Sequence, residues 1–244
     1  MKRFALIGHP VAGSLSPVLF RAAYDGRYPY DLLDAPFLEA WGLFWDSYQG
    51  INITAPYKQD AFARADILAP DARLTGAVNL AVKEADGLIH GYNTDIDGVV
   101  GAVQECGLPV SVALVVGAGG AARAAVVAAG KLGCKVVVTN RTFPKAQSLA
   151  DDFGCTAVPL SDVHGLSPDL IIYTVPGGIG EPLLAPALLA GAVVLEAEYK
   201  NPSLASMPCR AYISGRRWLL HQAIAGYRLF TGEDPDAVAM AAEM

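Results

Sequence analysis

Val112-Ala113-Leu114-Val115-Val116-Gly117-Ala118-Gly119-Gly120-Ala121-Ala122 decides the fold. Its first five residues form an apolar run that stops at glycines, which reads as a buried strand. The Ala-rich stretch that follows, 121–132, reads as a helix. The junction fits G-x-G-x-x-A, a fingerprint of dinucleotide binding when a strand precedes it and a helix follows. The first glycine permits a tight turn, the second lets backbone amides approach a pyrophosphate, and the small third residue lets helix pack on strand. The helix N-terminus adds N–H groups and a partial positive charge for phosphates. The same residues also read as a merely tight turn; their setting favours the fingerprint.

Working outward, strands are expected at 135–139, 170–174 and 193–197, with a helix at 145–153. Strands separated by helices of that length imply right-handed crossovers and a parallel sheet. Upstream, 4–8, 30–33 and 50–53 read as strands, and 16–24 and 60–65 as helices, with Pro17 suited to a first turn. Residues 77–83 and 88–91 read as a hairpin around the turn signal Glu84-Ala85-Asp86-Gly87. Further helices are expected at 96–106, 216–230 and 234–243, and the pattern changes sharply at Gly107-Leu108-Pro109. The expected architecture is α/β. Residues 1–98, completed by 217–244, would form a substrate-binding and catalytic domain. Residues 99–216 would form a Rossmann-like dinucleotide domain. Both would contain parallel sheets, with a cleft between them as the default place for a ligand.

Composition narrows the class. The 244 residues are 53% hydrophobic and 17% charged, which favours a compact chain over a disordered one. A net charge of −6 with no Lys/Arg run argues against a nucleic-acid partner. The opening apolar run stops at Gly8-His9-Pro10, too short for a signal peptide, and no stretch suits a membrane span. The chain therefore reads as soluble and cytoplasmic. Cys106, Cys134, Cys155 and Cys209 form no C-x-x-C pair, and His9, His90, His164 and His221 are scattered. Reduced thiols and no metal site are expected.

The strand after the fingerprint helix ends at Thr139-Asn140-Arg141-Thr142, with Lys145 one turn on. An NAD enzyme would usually place a carboxylate here for the ribose 2′-hydroxyl. A guanidinium suits a 2′-phosphate instead, through paired charge-assisted hydrogen bonds. NADP is the expected cofactor; solvated surface cations are the other reading. In the N-terminal half, Ser14 and Ser16 place two hydroxyls at a helix mouth, able to donate to a carboxylate or simply to cap the helix. Asn52 and Thr54 share one face of an extended strand that runs on through Ala55-Pro56-Tyr57 to Lys58. Lys58 alone would also suit a solvated surface. Asn79 with Asn93-Thr94-Asp95 offers amides and one carboxylate, suited to a polyol or to a helix cap.

These motifs, taken in order, resemble those of shikimate dehydrogenases: Ser14-Leu15-Ser16-Pro17, Asn52-Ile53-Thr54-Ala55-Pro56-Tyr57-Lys58, Gly76-Ala77-Val78-Asn79, Asn93-Thr94-Asp95, the Gly117 fingerprint, Asn140-Arg141-Thr142, and Ser214-Gly215 with Gln222. The resemblance runs along essentially the whole chain. It implies reversible NADPH-dependent reduction of 3-dehydroshikimate to shikimate, in the route to chorismate and the aromatic amino acids. It implies that Ser14 and Ser16, with Tyr199, hold the substrate carboxylate. Thr54, Asn79, Asp95 and Gln222 would bind ring hydroxyls, and Lys58 would be catalytic with Asp95 as its partner. Gly117, Ala118, Gly119, Gly120, Ala121, Asn140, Arg141, Thr142 and Lys145 would hold NADP, with Ala197 and Gly215 at the nicotinamide. A monomer or homodimer is expected. The chain departs from the family pattern at Leu80 (usually Thr), Tyr173 (usually Asn), Glu196 (usually Asp) and Ala197 (commonly Met). A quinate/shikimate enzyme of relaxed specificity and a non-catalytic sensor are the competing readings. The serine pair favours shikimate, and Arg141 argues against NAD.

Overall fold

The computed structural model describes residues 2–176 and 183–244. In chain order the N-terminal elements are β1 (Phe4–Gly8), α1 (Ser16–Ala23), β2 (Tyr30–Asp34), α2 (Phe37–Ser47), β3 (Gly50–Ile53), α3 (Lys58–Arg64), β4 (Ile67–Leu68), α4 (Pro70–Thr75), β5 (Leu80–Lys83) and β6 (Ile89–Tyr92). Then come α5 (Asp95–Cys106), β7 (Val112–Val116), α6 (Gly120–Lys131), β8 (Lys135–Thr139), α7 (Phe143–Phe153), β9 (Thr156–Ala157), a 3₁₀ turn (Leu160–Gly165) and β10 (Leu170–Tyr173). The chain closes with α8 (Pro186–Leu189), β11 (Val193–Glu196), β12 (Ala211–Ser214), α9 (Gly215–Thr231) and α10 (Ala237–Ala242). It divides into two compact units: residues up to Thr94 together with Gln222–Met244, and Asp95–His221.

The first unit is built on a six-stranded sheet of order β2-β1-β3-β5-β6-β4. β1 pairs in parallel with β2 and β3. β5 runs antiparallel to both β3 and β6, as the expected hairpin requires. All five β1 residues are buried, which is why an unbroken apolar run sits at this position. Their side chains alternate between faces. Ala5 and Ile7 pack with Trp41 and Phe44 of α2, while the Phe4 ring lies 5.2 Å from Phe20 of α1 and 4.9 Å from Phe230 of α9. Phe20, 1% exposed, is ringed by Tyr24, Tyr30 and Tyr227 at 4.7–5.3 Å. Tyr24 Oη donates to the Tyr227 carbonyl and Tyr227 Oη to the Ser16 carbonyl, so these two phenols are satisfied by backbone.

The second unit carries a six-stranded sheet of order β12-β11-β10-β7-β8-β9, parallel throughout. Ala113 and Val115 of β7 face the alanines of α6, whose small side chains let the helix lie close to the sheet. Leu114 and Val116 point the other way and pack with Ile171 and Val194. At the N-terminal end of β7, Asp169 accepts from the Ser111 and Val112 amides and the Ser111 hydroxyl. Burial pushes this carboxyl up, but those bonds outweigh it and hold it below the ordinary carboxylate range. Among the described residues no helix is long and apolar enough to cross a membrane.

Several elements were not expected from the sequence: α2, α4, β4, β9, α8 and β12. α2 hides its period because apolar residues occupy both faces; Trp41 and Phe44 are buried while Leu38 and Trp45 are exposed. The edge strands β4 and β9 are two residues long. α3 begins at Lys58, two residues before the expected start, and β5 at Leu80, three residues after.

Replacing Phe20 by alanine should remove the hub of the aromatic core and cost about 3–5 kcal/mol of stability. Equilibrium denaturation of the variant against the parent checks this; a loss within experimental error would show that the ring cluster does not hold the first unit together.

Candidate functional site

In the first unit, backbone hydrogen bonds gather the polar residues at the C-terminal end of β3. Ile53 N–H donates to the Asn79 carbonyl at 2.7 Å, and Val78 N–H donates to the Lys58 carbonyl at 3.0 Å. These bonds set Thr54, Lys58 and Asn79 beside one another. Thr54 follows β3 and its N–H donates to Ile7, so its side chain lies against Gly8 at the end of β1. A Cβ on Gly8 would overlap the Thr54 methyl, so only glycine fits there.

Asn79, 3% exposed, receives the Thr94 N–H on Oδ1 at 2.8 Å and donates from Nδ2 to the Thr94 hydroxyl at 3.2 Å. Neighbouring Asn93 donates to the Thr75 hydroxyl and the Ala77 carbonyl. Asn93 thus fixes the loop 75–79, a structural role that the spacing alone did not reveal. Asp95 is the first residue of α5 and only 5% exposed. A carboxylate there sits favourably at a helix N-terminus. On α9, Gly226 packs against Leu80 and Thr94. Leu80 thus stands where α9 approaches the sheet. Gln222 lies one turn before Gly226 on the same face of that helix.

The serine pair sits at the start of α1, with Ser16 its first residue and Ser14 two residues before it. Ser14 Oγ accepts the Ser16 N–H and donates to Ser16 Oγ, each at 3.2 Å. Ser14 therefore does satisfy a first-turn amide, and the two hydroxyls are held together. The loop that carries them is pinned by Asp34, which accepts from the Val11 N–H and meets His9 Nδ1 at 2.6 Å. The His9 contact first, and the Val11 bond second, hold the Asp34 carboxyl below its ordinary range. Tyr30 donates to Asn52 Oδ1 at 2.8 Å, so Asn52 is occupied by a phenol. Burial keeps Tyr30 and Tyr227 well above the ordinary phenol range, so both remain donors.

In the second unit the winding reverses at β7. The chain steps from β7 to β8 and β9 on one side and returns to β10, β11 and β12 on the other. The carboxyl ends beside such a switch point are where open α/β sheets bind ligands. Gly117, Ala118, Gly119, Gly120 and Ala121 turn there into α6. Gly117 has φ +120, and a Cβ on it would overlap Thr174 Oγ1. Gly119 caps α6 without a side-chain bond, and a Cβ on Gly119 or Gly120 would meet nothing within 4 Å. First-turn amides under open space suit a pyrophosphate. Asn140 donates to the Thr142 carbonyl, shaping the turn that presents the exposed Arg141, and Thr142 stands at the N-cap position of α7 without a side-chain bond. Lys145 lines a groove of about 280 Å³ with Ala118, Ser148 and Arg123. Sequence reading passed over Arg123, whose only signal was a cation in the first turn after the fingerprint. Its guanidinium meets Asp152 at 2.7 Å and lies over the Phe153 ring.

Ala197 and Gly215 lie together at the ends of β11 and β12. A Cβ on Gly215 would overlap the Ala197 carbonyl oxygen and sit 2.7 Å from that of Glu196. Tyr199 is half-buried; burial raises its phenol, Glu198 adds to the rise and Arg216 opposes it, leaving a donor at neutral pH. Tyr173 and Glu196, two departures from the family pattern, are buried, at 2% and 0% exposure. Among the described residues no group of three or more His, Cys, Asp or Glu side chains could hold a metal ion.

The family model described as the shikimate dehydrogenase substrate binding domain matches residues 6–81, and that described as shikimate / quinate 5-dehydrogenase matches residues 102–175. A shikimate dehydrogenase (NADP(+)) of Rubrobacter xylanophilus is 37% identical, with 96% of this chain and 92% of the relative covered. The shikimate dehydrogenase (NADP(+)) of Acinetobacter baumannii is 34% identical over 96% of this chain and 97% of the relative. A crystal structure of shikimate 5-dehydrogenase from Thermus thermophilus, in complex with NADP(H) and shikimate, superposes with a TM-score of 0.90. It is 31% identical and covers 100% of this chain and 98% of that one.

Gly215→Ala should cost about 1–3 kcal/mol, because rigid carbonyls must move to admit the methyl. Gly120→Ala should be neutral or stabilising. Thermal unfolding of the two variants side by side checks the contrast, and equal effects would contradict the close approach at Gly215.

Proposed function

The chain belongs to the shikimate dehydrogenase family, and on that footing we propose that it is an NADP-dependent enzyme that interconverts 3-dehydroshikimate and shikimate. The observation that carries this reading is the pair of backbone bonds, Ile53 to Asn79 and Val78 to Lys58, that gathers Thr54, Lys58 and Asn79 at one strand end. A threonine, an amide and an ammonium in one place suit a hydroxylated ring with a reducible ketone.

Ser14 and Ser16, with Tyr199, hold the carboxylate through their hydroxyls. Thr54, Asn79, Asp95 and Gln222 bind ring hydroxyls and fix which carbon reacts. The cofactor residues fit NADP. Gly119 and Gly120 leave room over the α6 N-terminus for the pyrophosphate, and Arg141 and Lys145 offer cations, where NAD enzymes carry a carboxylate. When bound, NADPH supplies the hydride. As the carbonyl carbon becomes tetrahedral, negative charge gathers on its oxygen. Lys58 Nζ stabilises that charge and holds a proton at the same oxygen. In the oxidising direction the neutral Lys58 amine takes the hydroxyl proton. Asp95 binds the adjacent hydroxyl and is the partner of Lys58 in the step. The four cysteines are free, which suits a cytoplasmic enzyme; it works as a monomer or homodimer.

Following NADPH absorbance with shikimate or quinate, and with NADP or NAD, tests the assignment. Shikimate with NADP should be the preferred pair, and faster turnover of quinate with NAD would sink it. Lys58→Ala should lower kcat by about 10²–10⁴-fold, the usual worth of a positioned proton donor, while shikimate binding persists. Arg141→Ser should weaken NADP by about ten-fold or more through the lost charged hydrogen bonds, and leave NAD little changed. An equal loss for both cofactors would mean that Arg141 does not read the 2′-phosphate.

A further inference from the structure

The backbone leaves β11 at Glu196 and makes no further strand pairing until β12 begins at Ala211. Near the start of this excursion, the Glu196 carboxylate closes a loop. One oxygen accepts the Ser203 N–H at 2.6 Å and the Ser203 hydroxyl at 2.9 Å. The other accepts the Leu204 N–H at 3.1 Å and the Tyr212 hydroxyl at 2.9 Å. The group is fully buried. A buried carboxylate with four donors is well compensated, and loss of its charge would leave amides unpaired in the interior. The loop it closes, 197–203, contains both Ala197 and Tyr199. A second carboxylate, Glu198, accepts the Lys200 and Asn201 amides inside it. Ala197 is also held by its N–H to the Tyr173 carbonyl at 2.8 Å, and by the close approach of Gly215.

We propose that Glu196 is a positioning residue, which fixes the loop 197–203 so that Tyr199 presents its hydroxyl to the carboxylate of the substrate. This rests on the function proposed above. It also explains why a longer acid is accommodated at a position where the family usually carries Asp: the extra methylene lies in the interior, and the oxygens reach backbone seven and eight residues on. Glu196 itself touches neither substrate nor cofactor.

A double-mutant cycle with Glu196→Gln and Tyr199→Phe tests it, read as the KM and dissociation constant for shikimate in the presence of NADP. The amide keeps the size of Glu196 but offers a donor where two donors already point. Each single change should weaken shikimate by about ten-fold, the worth of one charged or well-placed hydrogen bond, and the double variant should be no worse than the weaker single. Amide exchange should rise in 197–204 and stay unchanged in β7 and β10. Additive losses, or an unchanged shikimate KM in Glu196→Gln, would overturn the inference while leaving the proposed activity intact. Absence of turnover in the parent enzyme would instead sink the activity, and this inference with it. If Glu196→Gln does not fold, Tyr212→Phe removes one donor from the same carboxylate and takes its place in the cycle, with the same two outcomes.

Discussion

Parallel pairing of β7 with β10, from Ala113↔Leu170 to Val116↔Tyr173, is the constraint on which the second unit depends. It brings together two strands separated in sequence by α6, β8, α7 and β9. The chain therefore winds outward in both directions from one seam. The six strands all run parallel, so the carboxyl ends of β7, β8, β10, β11 and β12 line one edge. Gly117, Asn140, Thr174, Ala197 and Gly215 follow those ends. Their common position owes nothing to side-chain attraction; it is a consequence of strand direction.

The first unit solves a different problem, that of holding short polar segments without regular structure. Asn79 and Asn93 are buried side chains that substitute for ladder hydrogen bonds, one toward Thr94 and the other toward Thr75 and Ala77. Buried amides of this kind are fully satisfied or costly. The face of the sheet at Phe4 is backed by aromatic rings, which bury large area with few degrees of freedom. A stiff backing and satisfied amides together keep the polar edge in one arrangement.

How much of this could be read in advance depended on whether a signal was local. The strands at 4–8 and 112–116 matched their apolar runs because burial leaves no polar residue to confuse the pattern. Those at 50–53 and 135–139 matched although Asn52 and Lys135 interrupt them. The glycine fingerprint was legible because its requirements, φ +120 at Gly117 and room above Gly119, act within a few residues. α2 was illegible because Leu38, Leu43 and Trp45 remain exposed and blur its period. β4 and β9 were too short to carry one. The polar motifs were legible as a set, yet spacing could not say that Asn52 would be engaged by Tyr30 or that Arg123 would line the groove with Lys145. Nor could it show where the departures point. Tyr173 and Glu196 stood only as departures from the family pattern; their side chains are buried, and Glu196 accepts from the chain's own amides. Long-range partners decide those cases, and sequence distance hides them.

The two-residue strands have a consequence outside binding and chemistry. β4 ends one sheet and β9 ends the other, and an edge strand exposes peptide groups that can recruit a strand from another molecule. Two residues offer too short a ladder for that. The longer outer strand β2 carries Asp31 and Asp34, whose charge discourages a neighbour from pairing there. Three of the outer strands, β2, β4 and β9, are thus blunted against fibre-like self-association by shortness or charge.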